Sequence, residues 1–97
     1  MIYHSMKITN DDYIRIYERD NYTCTICGKR IVLGHGQVAH RIAKTKANKS
    51  IYGIGIISHD LNLVLTCGLY CNSKCNIGNS PMKCQALVKQ IEESKNV

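Results

Sequence analysis

The residues in this chain best suited to chemistry are cysteines set in two close pairs. Cys24-Thr-Ile-Cys27-Gly forms a CxxC knuckle, and about forty residues later comes Cys67-Gly-Leu-Tyr-Cys71. Spacings this short let both sulfurs of a pair turn toward one point, and two such pairs on separate loops complete a tetrahedral thiolate shell for Zn²⁺. Four thiolates leave the ion no open position, so this zinc is expected to hold the fold and take no part in catalysis. Other arrangements compete. A redox CxxC would open a long helix in a βαβ unit, whereas Gly28-Lys29-Arg30 follows here. Cys71 and Cys75, at i and i+4, form an alternative pair to Cys67 and Cys71. Cys84 falls on an apolar helical stripe and reads as a small core residue.

The elements that must position these groups are short. Tyr13, Ile14, Ile16 and Tyr17 recur at helical spacing behind Asn10 as N-cap and the acidic Asp11 and Asp12, which predicts a helix over 11–19. Ser80 can cap a last helix with Pro81 in its first position. Its stripe of Cys84, Leu87, Val88 and Ile91 carries it to about Glu93. Between them, Gly36 to Ile42 and Leu61 to Thr66 read as strands framed by turn residues. Ala43 to Asp60 reads as a long connection, of the kind that is functional or disordered. Asn72 to Ile77 makes two helical turns stopped by Gly78. No repeat, linker or low-complexity tract interrupts the chain.

Ninety-seven residues make one domain, near the size at which an apolar core alone gives little stability, so a further fastening is expected. Six Tyr stand with no Phe or Trp, and their hydroxyls argue against a thick, dry core. The formal charge is +6. Between Asn21 and His59 there is no Asp or Glu, while Lys29, Arg30, Arg41, Lys44, Lys46 and Lys49 form a one-sign field suited to a phosphodiester backbone. A solvated basic face explains the charge equally well. With no apolar leader and no run of membrane-spanning length, the expected setting is cytoplasmic and without a membrane partner. In a reducing compartment the cysteines read as metal ligands and not as disulfides.

Taken together, Arg19-Asp-Asn-Tyr-Thr-Cys24-Thr-Ile-Cys27-Gly, Val38-Ala-His40-Arg-Ile, Asn62-Leu-Val-Leu-Thr-Cys67 and Cys71-Asn72-Ser-Lys-Cys-Asn76 resemble the HNH endonuclease family in its cysteine-stapled form. The match covers roughly residues 15–77, and its order is more specific than any single piece. It implies an α+β chain built on a small ββα-metal fold, stapled by a structural zinc and flanked by an N-terminal and a C-terminal helix. It further implies a metal-dependent endonuclease acting on DNA, with RNA as another polyanion of the same class and a homodimer left open. By this resemblance His40 ends the first strand as general base and Asn62 orients the loop that holds it. Asn72 is then a ligand of a catalytic Mg²⁺ or Mn²⁺, in a place where many relatives carry His, and Asn76 is a second contact one turn on. Arg41, Lys44, Lys46 and Lys49 would hold phosphates.

One departure bears on the metal. Many relatives place Asp or His before the general base, and this chain has Ala39. The remaining candidates for that ion are His59, Asp60 and Asp20, failing which the cation rests on neutral oxygens, water and substrate phosphate. Each residue also has a plainer reading. His40 can be a strand-end histidine bonded to backbone, Asn62 and Asn72 turn or cap residues, and His59, His35 and His4 loop, turn and terminal residues. Two functions of other classes remain: a zinc-stapled nucleic-acid-binding module without catalysis, and a zinc domain that docks proteins.

Overall fold

A computed structural model describes residues 9–94; His4 lies outside them. The first helix, α1 (Asn10–Arg19), is capped by Thr9 and not by Asn10. The Thr9 hydroxyl accepts from the Asp12 backbone N–H at 3.2 Å, and the Asp12 carboxylate accepts from the Thr9 N–H at 2.9 Å. This reciprocal box needs an acceptor three residues past the cap, and Asp12 stands at that distance from Thr9. α1 buries Ile16 and Tyr17, and the Tyr17 hydroxyl accepts from the Gly36 N–H at 2.9 Å. The wish of a buried tyrosine for a polar partner is thereby met by the turn that leads into the sheet.

That sheet has two antiparallel strands, β1 (Gln37–His40) and β2 (Leu63–Thr66), with Gln37 opposite Thr66 and His40 opposite Leu63. Both are shorter than the apolar runs that announced them. At Gly36 a Cβ would stand 2.6 Å from the Thr66 carbonyl oxygen, so only glycine lets the chain enter β1 so close to β2. Leu63 and Leu65 bury on one face of the sheet, together with Val38 and against Ile16, Tyr17 and Ile31.

The connection expected over 43–60 is instead folded into α2 (Lys46–Tyr52), α3 (Ile54–Ile57) and a single 3-10 turn at Asp60–Asn62. The Thr45 hydroxyl accepts from the Asn48 N–H at 3.1 Å and starts α2. Gly53, at φ +87°, breaks the run and lets α3 turn so that Ile56 and Ile57 are buried. Weak propensity and two glycines hid these helices; burial of Ile56 and Ile57 supports α3, whereas α2 buries no residue and rests on its Thr45 cap. Then come α4 (Leu69–Lys74) and α5 (Pro81–Ser94). α4 begins three residues earlier than the sequence implied, so Cys71 sits within the helix and not ahead of it. Ser80 does cap α5, its hydroxyl accepting from the Lys83 N–H at 3.3 Å.

Two apolar clusters result. One gathers α1, the sheet, Cys24 and Cys71; the other gathers Ile42, Ile56, Ile57, Ile77, Cys84, Leu87 and Ile91 around α5. The architecture is a small mixed α+β arrangement, with one two-stranded sheet and five α-helices among the described residues. None of those helices is long and apolar enough to cross a membrane.

Candidate metal centre and the faces around it

The sulfurs of Cys24, Cys27, Cys67 and Cys71 all lie within 4.8 Å of one another. Cys27 Sγ stands 3.6 Å from Cys67 Sγ, and Cys67 Sγ stands 3.7 Å from Cys71 Sγ. Sulfurs held about 2.3 Å from a tetrahedral ion stand about 3.8 Å apart, so the cluster is close enough to hold one metal. Cys75 is excluded from it, since its thiol donates to the Asn72 carbonyl at 3.1 Å. Cys84 packs in the second cluster with its thiol on the Ile77 carbonyl at 3.3 Å.

Local structure explains why the sulfurs converge. The Cys24 N–H donates to the Lys29 carbonyl and the Gly28 N–H to the Cys24 carbonyl, closing the knuckle on itself. The knuckle then docks on the edge of β2: Thr25 donates to the Leu65 carbonyl from its N–H at 3.0 Å and from its hydroxyl at 2.9 Å. The Asp20 carboxylate accepts from the Leu65 N–H at 2.9 Å. Cys24 and Cys71 are shifted in opposite directions. Burial disfavours the Cys24 thiolate, but the backbone N–H groups of Cys27, Ile26 and Cys67 outweigh it and bring Cys24 down to about 6. Cys71 is pushed up to about 12 by burial and then by the neighbouring thiols of Cys67, Cys24 and Cys27. Such a group ionises fully only around a cation, which is the ordinary condition of a thiolate metal site.

His40 occupies the last paired position of β1 and is half-buried. Burial first, and the charge of Lys44 second, hold its imidazole below the ordinary 6.5, so the neutral form prevails at pH 7. The chain just after it is fixed by Asn62, which is fully buried. The Asn62 carboxamide oxygen accepts from the Ile42 N–H at 2.7 Å, and its NH₂ donates to the Ile42 carbonyl at 3.1 Å and the Ile57 carbonyl at 2.8 Å. The Arg41 N–H also donates to the Asn62 carbonyl, at 2.8 Å. Asn62 thus does for residues 41 and 42 what a third strand would do for a longer sheet: it satisfies their backbone.

On the other side of β1, the Asn72 NH₂ donates to Gln37 Oε1 at 2.8 Å. That bond leaves the Asn72 carboxamide oxygen available, the atom a hard cation would take. Gln37 was missed in the sequence; its signal is strand alternation, because it lies two residues before Ala39 and so shares its face. No hydrogen bond joins His40 to Asn72 among the described residues. Asn76 falls beyond the end of α4 and is not stacked a turn above Asn72; its carboxamide oxygen accepts from the Gly78 N–H at 2.6 Å.

The acidic candidates are occupied elsewhere. Asp60 is gripped by Arg15 through Nε at 2.7 Å and Nη2 at 2.9 Å, and that guanidinium holds its carboxyl below the ordinary 3.8. Asp20 takes both Arg19 and the Leu65 N–H. His59 caps the 3-10 turn, its Nδ1 accepting from the Leu61 N–H at 3.1 Å. Of the basic residues, Arg41 is half-buried and lines a shallow cleft with Thr25, Val64, Lys74 and Cys75. Lys44 and Lys46 are exposed, and Lys49 is half-buried on α2. Comparisons with protein-family models, with curated proteins and with solved structures gave no significant match.

Proposed function

We propose that this chain is a metal-dependent endonuclease that hydrolyses phosphodiester bonds of DNA, with a structural Zn²⁺ on Cys24, Cys27, Cys67 and Cys71. The observation that carries the reading is the convergence of those four sulfurs across a β1–β2–α4 unit whose first strand ends at a neutral, half-buried His40. This order of elements is what a ββα-metal nuclease requires. His40 accepts the proton of the attacking water, a task suited to an imidazole that is uncharged at neutral pH. Asn62 keeps the following residues rigid and so acts as a positioning residue. Asn72, oriented by Gln37, would hold a Mg²⁺ or Mn²⁺ with water and the substrate phosphate, His59 and Asn76 lying outside its immediate partners. When bound, that ion supplies charge to the phosphoryl and leaving oxygens. Arg41, Lys44, Lys46 and Lys49 hold flanking phosphates.

Supercoiled plasmid incubated with the zinc-loaded protein and Mg²⁺ or Mn²⁺ should be nicked or cut. His40→Ala should lower the rate at least about 100-fold with zinc content unchanged; equal cleavage by the variant refutes the assignment. Because burial and then Lys44 lower the His40 pKa, the rate should hold steady through neutral pH and fall only on acidification beyond the range of an ordinary imidazole. Lys44→Met removes a positive neighbour, so the acid limb should move to higher pH. The competing reading is a zinc-stapled nucleic-acid-binding module without catalysis. It is favoured by Ala39 together with the commitment of Asp20 and Asp60 to arginines, and it predicts salt-dependent binding with no cleavage.

A further inference from the structure

Between the start of α2 and the end of α4 lies an open cleft of about 500 Å³, lined by Ala43, Thr45 and Asn48 from the first and by Ser73, Asn76, Gly78 and Asn79 from the second. Its lining is amide, hydroxyl and methyl, with no charged side chain. Lysines are its sequence neighbours: Lys44 and Lys46 flank Thr45, and Lys74 follows Ser73. A phosphate site would put the lysines inside. This arrangement instead suits a ligand whose charge stays at the rim and whose neutral, hydrogen-bonding part enters the cleft.

Two of the carboxamides are already oriented by backbone. Asn48 donates its NH₂ to the Ala43 carbonyl at 2.9 Å, which leaves its oxygen as a spare acceptor. Asn76 uses its oxygen on the Gly78 N–H at 2.6 Å, which leaves its NH₂ as a spare donor. Fixed amide donors and acceptors are what discriminate base edges, whereas phosphates are held by charge. The volume is that of a small-ligand site. A closed base pair keeps its Watson–Crick edge engaged, but an unpaired nucleotide can turn that edge outward into a pocket.

We propose that this cleft receives one unpaired nucleotide beside the scissile phosphate, so that the substrate class is nucleic acid carrying a bulged or single-stranded nucleotide at the cleavage point. The inference rests on the nuclease reading for the position of that phosphate. Binding can be measured without cleavage, by fluorescence anisotropy of the zinc-loaded protein with no added Mg²⁺ or Mn²⁺. The probes are two DNA duplexes of equal length, one fully paired and one with a single bulged nucleotide. The bulged duplex should bind at least about tenfold tighter. Asn79→Leu, which removes an exposed amide, and Ser73→Leu, which obstructs the opposite wall from an exposed helix position, should each reduce that preference to under about twofold while leaving affinity for the paired duplex unchanged. Equal affinity of the unaltered protein for both duplexes overturns the cleft proposal and leaves the nuclease reading standing. A preference that survives both substitutions overturns it likewise. Failure to bind either duplex at low salt defeats both readings together.

Discussion

The two apolar clusters are held by different means. The first is built from α1, the sheet and the cysteine knuckle, and its members Cys24 and Cys71 are also metal-site sulfurs. The second, around α5, is aliphatic: Ile42, Ile56, Ile57, Leu87 and Ile91 pack with Ile77 and Cys84, and none of its residues belongs to the sulfur cluster. One half therefore carries four crowded thiols placed closely enough to hold an ion, while the other is packed by aliphatic burial alone. Asn62 lies between them, following α3 and preceding Leu63, and ties Ile42 of the second cluster to the start of β2. The candidate base, His40, sits two residues from that tie. A site placed on such a seam inherits the stiffness of both halves, and it fails if either loosens.

The sharpest way to break the comparison is to remove the ion. Structural zinc contributes apparent free energies of about 10 kcal/mol or more, comparable to the whole stability of a small domain. A chelator at neutral pH should therefore abolish the cooperative thermal transition, and a Cys24→Ala, Cys67→Ala double variant should neither retain zinc nor fold. Zinc retained in that variant would remove the four-cysteine clamp from the account. Acidification should act in the same direction, since protons compete with the metal for thiolates.

A smaller effect is expected at the seam. Asn62→Ala leaves the Ile42 N–H and the Ile42 and Ile57 carbonyls without their partner in a buried place. The cost should be about 3 kcal/mol or more, read as a lower denaturation midpoint with zinc content intact. Catalytic rate should fall more than substrate affinity, because the substitution frees the chain beside His40. A midpoint unchanged from that of the unaltered protein would show that the two halves do not communicate through this residue.

The smallest effect belongs to the surface. Arg15 and Asp60 form a well-made ion pair, yet both side chains are substantially exposed, at 49% and 39%. Asp60→Asn should cost less than about 1 kcal/mol, less still in high salt. It should also leave unaltered the metal-dependent cleavage proposed above. Loss of cleavage with stability retained would return Asp60 to the metal site.

How much of this was legible in the sequence depended on the range of the interaction involved. The cysteine pairs were legible because each spacing is local, and two local pairs need only be brought together once. The long helix α5 was legible for the same reason: Ser80, Pro81 and the stripe from Cys84 to Ile91 lie within one continuous segment. α2 and α3 were hidden, since Gly53 and Gly55 speak for a loop; burial of Ile56 and Ile57 outweighs them in α3, while α2, with no buried residue, starts from the Thr45 cap. The cap at Thr9 was overlooked in favour of Asn10, although the reciprocal bond with Asp12 was written in their spacing.

The sequence by itself determined which atoms could bind metal, where the chain would be basic, and that the first and last long segments would be amphipathic helices, because all of these follow from residue types and near-neighbour spacing. Only the tertiary structure decided how distant groups were spent. It joined Gln37 to Asn72, gave Asp60 to Arg15 and Asp20 to Leu65, excluded Cys75 from the sulfur cluster, and buried Asn62 against Ile42. Those pairings cross 20 to 45 residues of chain, and hydrogen-bond partners at such range are selected by packing, which satisfies every buried polar group at once and leaves no local signature.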